Sequence, residues 1–384
     1  MTSQERHEAR YQRRKAKREE KLKAFSEKSF NQVFNYENLI TAGLKCCNGV
    51  RWKASVLLFE NNIIKKAIDI EKELDGETPR RFKEFNSFVT VEHGKARDID
   101  AIPIWDRTQQ KCFNTNYLYP LYTRSFIKDN AASIKNGGTE FTLKRLKKKL
   151  RAHFRKYGQE GGILLFDFKG YFRSILHSKI KERAEKRMSD SSLRRIFFQW
   201  IDDFNKLKNS LKPGRGIGLG SEVSQTIALD FLSPVDHYFT DHLGLSGYAR
   251  YMDDGYIISN DLNLLKRCLE DLVKLSEELG LTLSLNKCRI IPFKDSKFFT
   301  FLKFRVCLKE TGKIVVLPNK RASCRERSRL RKIRIKVIEG ILTVGDAWNS
   351  VVAWIAHIKQ CTSYKFKVFS THKYFQKIFA GYLI

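Results

Sequence analysis

Two adjacent acids, Asp253 and Asp254, follow Tyr251-Met252 where two apolar, aromatic and β-branched runs meet, Tyr248-Ala249-Arg250 and Gly255-Tyr256-Ile257-Ile258. The pattern predicts a tight β-hairpin with both acids at its turn. Neighbouring carboxylates repel and lose hydration there, so they are tolerated best where a cation sits between them and a further acid. A divalent metal is the simplest such cation. A plain solvated Asp-Asp-Gly turn is the competing reading, because turn chemistry favours Asp and Gly anyway. A third acid bears on the choice. Gly161 to Phe166 is a glycine pair and an unbroken apolar run, which predicts a strand buried on both faces that delivers Asp167. An acid there is costly unless paired or metal-bound. Capping a helix near Ser174 or pairing with Lys169 would also satisfy it. Carboxylates on neighbouring backbone elements can hold two Mg²⁺ roughly 3.5–4 Å apart for phosphoryl transfer. One ion lowers the pKa of an attacking hydroxyl and the other stabilises a leaving pyrophosphate. In that arrangement Asp167 and Asp253 bridge both ions, Asp254 shapes the site, and Phe168 joins the metal set beside Asp167.

Asp167-Phe168-Lys169-Gly170-Tyr171-Phe172 resembles the first catalytic motif of reverse transcriptases, and Tyr251-Met252-Asp253-Asp254 resembles their Tyr-x-Asp-Asp motif. In that family the aromatic five residues after the first Asp blocks a 2′-hydroxyl. The resemblance puts Phe172 in that role and implies DNA synthesis. Between the two motifs, Gly214 to Gly220 is a flexible loop opening a helix, with Ser221 as its N-cap. It is similar to the family's Gly-Leu-Pro-Gln-Gly loop and the Ser-Pro after it. Gly218 stands for the Pro, Leu219 for the Gln and Gln225 for the final Pro. Leu219, Gly220 and Gln225 are thereby expected near the nucleotide. Glycine-serine variants of this loop resemble prokaryotic reverse transcriptases outside retrons and group II introns, including unknown groups that serve in defence against phage.

Further matches flank this core. Val91 to Ile99 resembles the motif whose cations bind the triphosphate, which implies Lys95 and Arg97 as phosphate ligands. Arg97 is favoured, because a guanidinium offers phosphate a bidentate fork. Asp106-Arg107-Thr108-Gln109-Gln110 resembles the next fingers motif, and 126–139 the entry to the palm. Apolar spacing predicts a helix from Leu262 to Leu279, ending at Gly280. Leu281 to Lys287 then resembles the fourth motif, whose lysine is proposed to protonate pyrophosphate. A surface lysine at a strand end is the alternative for Lys287. Phe299 to Phe304 resembles the primer grip, with Lys303 where Gly is usual. The resemblance covers roughly residues 85–310.

The formal net charge of +31 implies a polyanionic partner. A membrane surface fits less well. No apolar run reaches the ~18 residues of a spanning helix, and no signal peptide opens the sequence. Eight cysteines without zinc spacing read as reduced, mostly buried cytosolic thiols. No H-N-H-like nuclease or RNase H carboxylate set is visible.

The expected fold is α+β, a right-hand polymerase with fingers, a palm of antiparallel sheet packed on helices, and a helical thumb. Residues 1–75 are expected to form a basic arm and a helical extension with two or three helices in 30–75, 76–310 the fingers and palm, and 311–384 the thumb. Lys144 to Lys156 and Lys320 to Lys336 read as cationic helices. Arg325, Arg329, Lys332 and Lys336 are expected to follow a template–primer duplex through its phosphates. A second thumb helix is expected after Asp346, with Trp348, Val351, Val352, Ile355 and Ile358 inward.

The resemblance implies RNA-directed DNA synthesis with two Mg²⁺, which Mn²⁺ can replace, from dNTPs on a DNA or RNA primer. A dedicated structured non-coding RNA would supply the template in a cytoplasmic antiphage system or other retroelement, alongside a protein partner encoded nearby. The rivals are a diversity-generating retroelement enzyme, a template-independent polymerase, and a non-catalytic RNA-binding protein that keeps the fold.

Overall fold

The computed structural model describes residues 3–81, 84–92, 95–207 and 212–382. Helix α1 (Ser3–Ser26) carries the basic arm, and its charged side chains stay largely exposed. Arg14 and Arg18 tie it to Asp241. Four helices follow, α2 (Phe30–Val33), α3 (Tyr36–Cys47), α4 (Ala54–Asn61) and α5 (Ile63–Asp75). That is more than the two or three expected, because a single turn forms at Phe30, where the Ser29 amide donates to Gln32 Oε1 at 3.1 Å. Leu39 and Val56 are buried, whereas Trp52, Leu57 and Leu58 face solvent.

Strands β1 (Asn86–Glu92) and β2 (Lys95–Ala101) pair antiparallel, with Glu92 opposite Lys95. Helix α6 (Ile104–Phe113) runs through a π-helical turn at Asn114–Leu118 into α7 (Tyr119–Thr123). Next come α8 (Thr139–Tyr157), β3 (Gly162–Phe166), α9 (Tyr171–Ser174), α10 (His177–Arg187), α11 (Ser191–Asp203), α12 (Glu222–Phe231) and α13 (Ser233–His237). Strands β4 (Ala249–Tyr251) and β5 (Asp254–Ser259) flank the two-residue turn Met252-Asp253. Helix α14 (Leu262–Glu278) ends as expected before Gly280, whose φ is +70°. The rest is β6 (Arg289–Pro292), β7 (Phe299–Phe301), β8 (Phe304–Leu308), β9 (Ile314–Pro318), α15 (Ala322–Ile338), α16 (Val344–Ile358) and α17 (Tyr364–Phe379).

These elements form two compact units interleaved along the chain. The first takes residues 1–135, 166–255 and 269–287. Its core is aromatic. Phe113 stacks on Phe34 at 5.9 Å and on Phe197 at 5.8 Å, and meets Trp200 edge-on at 5.2 Å. All four are essentially dry, and each such ring is worth about 1.5–3 kcal/mol of transfer free energy. The rings pin α6 and α11 together.

The second unit takes 136–165, 256–268 and 288–384. Here β3 lies between β5 and β6, antiparallel to β6 with Leu165 opposite Arg289. The glycine pair before β3 is a packing requirement. A Cβ on Gly161 would meet Ser259 O at 2.0 Å, and one on Gly162 would meet Ile291 O at 2.5 Å. Strands β7, β8 and β9 make an antiparallel meander.

The C-terminal helices are three rather than the expected pair, because α17 supplies Phe375 and Phe379 to a core with Leu330, Ala347 and Val351. Helix α16 starts at Val344, not after Asp346, because Thr343 is its N-cap and Asp346 the third helical residue. That phase buries Ala347, Val351 and Ile358 and leaves Trp348 and Val352 exposed, reversing two of the expected inward positions.

Asp106, in the first turn of α6, is buried and its Oδ2 has no hydrogen-bond partner among the described residues. Burial pushes its carboxyl up to about 7, Arg80 pulls against that, and Glu73 and Asp203 add to it. In the unfolded chain the same group titrates near ~3.9. The folded state therefore keeps a proton that the unfolded state has lost, and the associated stability, on the order of a few kcal/mol, fades as pH rises from about 4 towards 7. Asp106→Asn, which cannot ionise, should be more stable than the parent at pH 8 and gain little at pH 4. Urea midpoints at both pH values check this, and equal differences would exclude a protonated Asp106.

Candidate active site

The site is built on the first unit. Strand β3 ends at Phe166, and Asp167 follows with its side chain 17% exposed. The main chain around it is fixed by a second segment: Ser284 N donates to Asp167 O and Lys169 N to Thr282 O, both at 2.8 Å. Lys287 Nζ reaches Asp167 Oδ2 at 2.5 Å. An open cavity of about 500 Å³ lies beside them, lined by 168–170 and 282–287. The Phe168 ring is buried against Phe166 and Tyr171. Its side chain offers nothing to a metal, so only its carbonyl is left for that role. Asp167 neither caps a helix nor needs Lys169. Helix α9 is preceded by Gly170 in the left-handed region, and the charge partner is Lys287.

Only the first acid of the Asp pair sits in the turn. Met252 adopts φ +59°, Asp253 completes the turn, and Asp254 opens β5. Burial pushes the Asp253 carboxyl up, and the Asp167 charge adds to the rise, while Lys287 and Arg97 oppose it. Lys287 is raised by its bond to Asp167, with the charges of Asp254 and Asp253 contributing. The three acids and Lys287 thus feel one another, and the field of Arg97 reaches Asp253 from β2. Among the described residues no three His, Cys, Asp or Glu side chains form a ready-made metal cage.

The turn is braced by residues that carry no motif in the sequence. Arg250 and Asp236 are both fully buried. Arg250 Nε and Nη2 donate to the two Asp236 oxygens at 2.8 and 2.6 Å, and Nη1 donates to Met252 O at 2.7 Å. Tyr248 Oη donates to Asp236 Oδ1 at 2.7 Å. Burial alone would depress the guanidinium, but Asp236 more than reverses this and holds it above its ordinary value. Gly255 is needed because a Cβ there would lie 2.1 Å from the Phe166 ring. One signal was available: an Arg at an inward strand position demands a buried acid.

The glycine loop docks on two segments. Ile217 N donates to Phe172 O at 2.9 Å and Gly216 N to Ile175 O at 2.8 Å. On its other side Asp100 N donates to Leu219 O at 2.9 Å. A Cβ on Gly220, at φ +131°, would sit 3.2 Å from Asp100 O. Arg173 pairs with Asp98, next to Arg97. Strand β2 is therefore held against the loop and against α9. The Phe172 ring is only part-buried and meets Tyr171 edge-on at 5.8 Å. Ser221 caps α12 as expected, accepting from Val223 N. Gln225 is exposed and lines a cavity of about 370 Å³ with Asn114, Tyr119 and Ser133. Lys95 opens β2, but its side chain lies outside the described residues. Lys303 is in the second unit, exposed at the tip of the β7–β8 hairpin with φ +68°. Arg325, Arg329, Lys332 and Lys336 are also in that unit, all exposed on α15.

Removing one partner of the Arg250–Asp236 pair leaves a buried charge alone. Asp236→Ala should therefore cost about 3–5 kcal/mol, read as a shifted denaturation midpoint. A loss below about 1 kcal/mol would mean the pair does not hold the turn.

A family model described as reverse transcriptase (RNA-dependent DNA polymerase) matches residues 93–306. No curated protein matches the sequence. Among solved structures, apo telomerase from Candida tropicalis, truncated from its C-terminal domain, is similar at 14% identity and a TM-score of 0.46, over 62% of this chain and 55% of that one. Telomerase from Candida albicans, in complex with the TWJ fragment of telomeric RNA, is similar at 12% identity and a TM-score of 0.48, over 78% of this chain and 60% of that one. The chain spans less than two thirds of either, and likeness at this level carries no functional argument. The family match covers more than half of the sequence and contains Arg97, Asp167, Asp253, Asp254 and Lys287, and on that ground the chain belongs to the reverse transcriptase (RNA-dependent DNA polymerase) family.

Proposed function

We propose that the protein is an active RNA-directed DNA polymerase that uses two divalent metal ions, Mg²⁺ by preference. The observation that carries this is the convergence of Asp167, Asp253 and Lys287 under the field of Arg97, on a turn that Arg250 prevents from relaxing. Asp167 and Asp253 would hold the ions, with Asp254 beside them. Bound there, the metals would activate a primer 3′-hydroxyl and stabilise pyrophosphate. Arg97 and Lys95 orient the triphosphate. Lys287 balances Asp167 in the resting site and is placed to give a proton to the leaving group. The Phe172 ring would crowd a 2′-hydroxyl, and Leu219, Gly220 and Gln225 would lie near the nucleotide.

The division into a 1–75 extension, 76–310 fingers and palm and a 311–384 thumb is part of this reading. The exposed cations of α15 and Lys303 would take the duplex backbone. The template is a structured non-coding RNA in a prokaryotic, defence-associated system. The charge of +31 and the glycine-serine form of the 214–221 loop support that setting.

Asp253→Asn with Asp254→Asn should lower primer extension by about 10³-fold or more, with RNA binding kept, because different residues hold metal and RNA. Paired extension and filter-binding assays check both halves, and normal extension would end the catalytic reading. Replacing Arg325, Arg329, Lys332 and Lys336 by Glu should weaken binding to RNA of any sequence. The slope of log K against log salt should flatten by about 0.7–0.9 for each phosphate that the protein ceases to neutralise. An unchanged slope would remove α15 from the interface.

A further inference from the structure

Helix α15 holds an acid that a nucleic-acid-binding surface does not call for. Among nine basic residues from Lys320 to Lys336, Glu326 is the one acid, and it is only 7% exposed. Its Oε1 has no hydrogen-bond partner among the described residues, and Oε2 lies 3.7 Å from Arg329 Nη1, too far for a good hydrogen bond. An unsatisfied buried carboxyl costs several kcal/mol unless something completes it. Burial pushes this carboxyl up, and Arg329 pulls it part of the way back.

Glu326 lines a cavity of about 170 Å³ between α15 and α17, with Ser323, Arg327, Phe366, Lys367 and Ser370 around it. Arg327 Nη2 donates to Ser370 Oγ at 3.1 Å, which fixes that guanidinium at the rim. Phe366 is 74% exposed, an aromatic face turned to solvent beside the opening. The cavity is thus a carboxyl floor, a cationic rim and a free ring. A metal ion or an ammonium group would be repelled by Arg327, Lys367 and Arg329. A free anion would meet the carboxyl. The combination suits a neutral group that carries paired N–H donors and is attached to phosphates.

We infer that this cavity takes an unpaired guanine of the bound RNA. Guanine presents N1–H and N2–H side by side to Glu326, stacks on Phe366, and leaves its flanking phosphates to Arg327 and Lys367. Unpaired bases are read in this manner, by edge hydrogen bonds and aromatic stacking. Adenine offers one donor beside an acceptor, and inosine lacks the N2 amine. The inference rests on the reading of α15 as an RNA-facing helix.

The test uses the full chain and RNA hairpins that differ only at one bulged position: guanine, adenine, inosine or no bulge. Anisotropy titrations at fixed salt should show the guanine bulge bound about 10-fold more tightly than the adenine bulge, with inosine between. Glu326→Gln keeps the shape and should erase that ratio while the unbulged hairpin binds as before. Phe366→Ala, at an exposed position, should lower affinity for every bulged hairpin towards that of the unbulged one. Equal affinities for guanine and adenine bulges in the parent, or a ratio that survives Glu326→Gln, would overturn the guanine site and leave RNA binding by α15 intact. Failure of the parent to bind any hairpin would overturn both.

Discussion

The site depends on keeping like charges together. Two carboxylates 4 Å apart repel by about 4 kcal/mol at an effective dielectric near 20, and a free turn would relieve that by swinging one of them into water. Here the turn cannot swing. Its Met252 carbonyl is held by Arg250, Arg250 is locked by Asp236, and both are sealed from solvent. On the other side the Phe166 ring closes over Gly255. Burial raises the Asp253 carboxyl, the Asp167 charge adds to the rise, and Lys287 and Arg97 partly offset it. Carboxylates held together in this way favour a cation beside them.

The glycine loop lies against β2. The family's Pro and Gln are replaced by Gly218 and Leu219, and both replacements lie against β2. A Cβ on Gly218 would already touch Asp100 Cβ at 3.4 Å, and the Leu219 carbonyl receives the Asp100 amide. The Asp100 amide on the Leu219 carbonyl and the Arg173–Asp98 pair attach the strand bearing Arg97 to the loop and to α9. The loop is therefore fitted to the strand that carries Arg97.

Much of this was legible because short-range rules dominate it. The apolar run to Phe166, the turn before Asp254, the N-cap at Ser221 and the end of α14 at Gly280 all follow from local pattern, and all formed. What failed was set by distant packing. Trp348 and Val352 carry the same apolar signal as Val351, but the cap at Thr343 fixed the helix phase and α17 chose which face to cover. Trp52, Leu57 and Leu58 carry apolar signal yet face solvent, because composition cannot say which face of a short helix finds a partner. Arg250 at an inward strand position signals a buried acid, but Asp236, in the short helix Ser233–His237, carries no motif that marks it as the partner.

The charge of the chain divides along the same line. Inside, arginines are committed to buried acids, Arg250 to Asp236 and Arg183 with Arg187 to Asp230. Such pairs fix geometry and contribute little net stability, because desolvation cancels most of their attraction. Outside, α8 and α15 present Lys144, Lys148, Arg151, Arg325, Arg329 and Lys332 to solvent. Acids are scarce there, so these cations are available to a polyanion and raise its local concentration. In the proposed function, affinity for nucleic acid is a property of these exposed cations, and chemistry a property of the part-buried turn at Met252-Asp253. The two can be altered separately, and Glu326 is the place where the surface has a buried acid that phosphate binding alone does not explain.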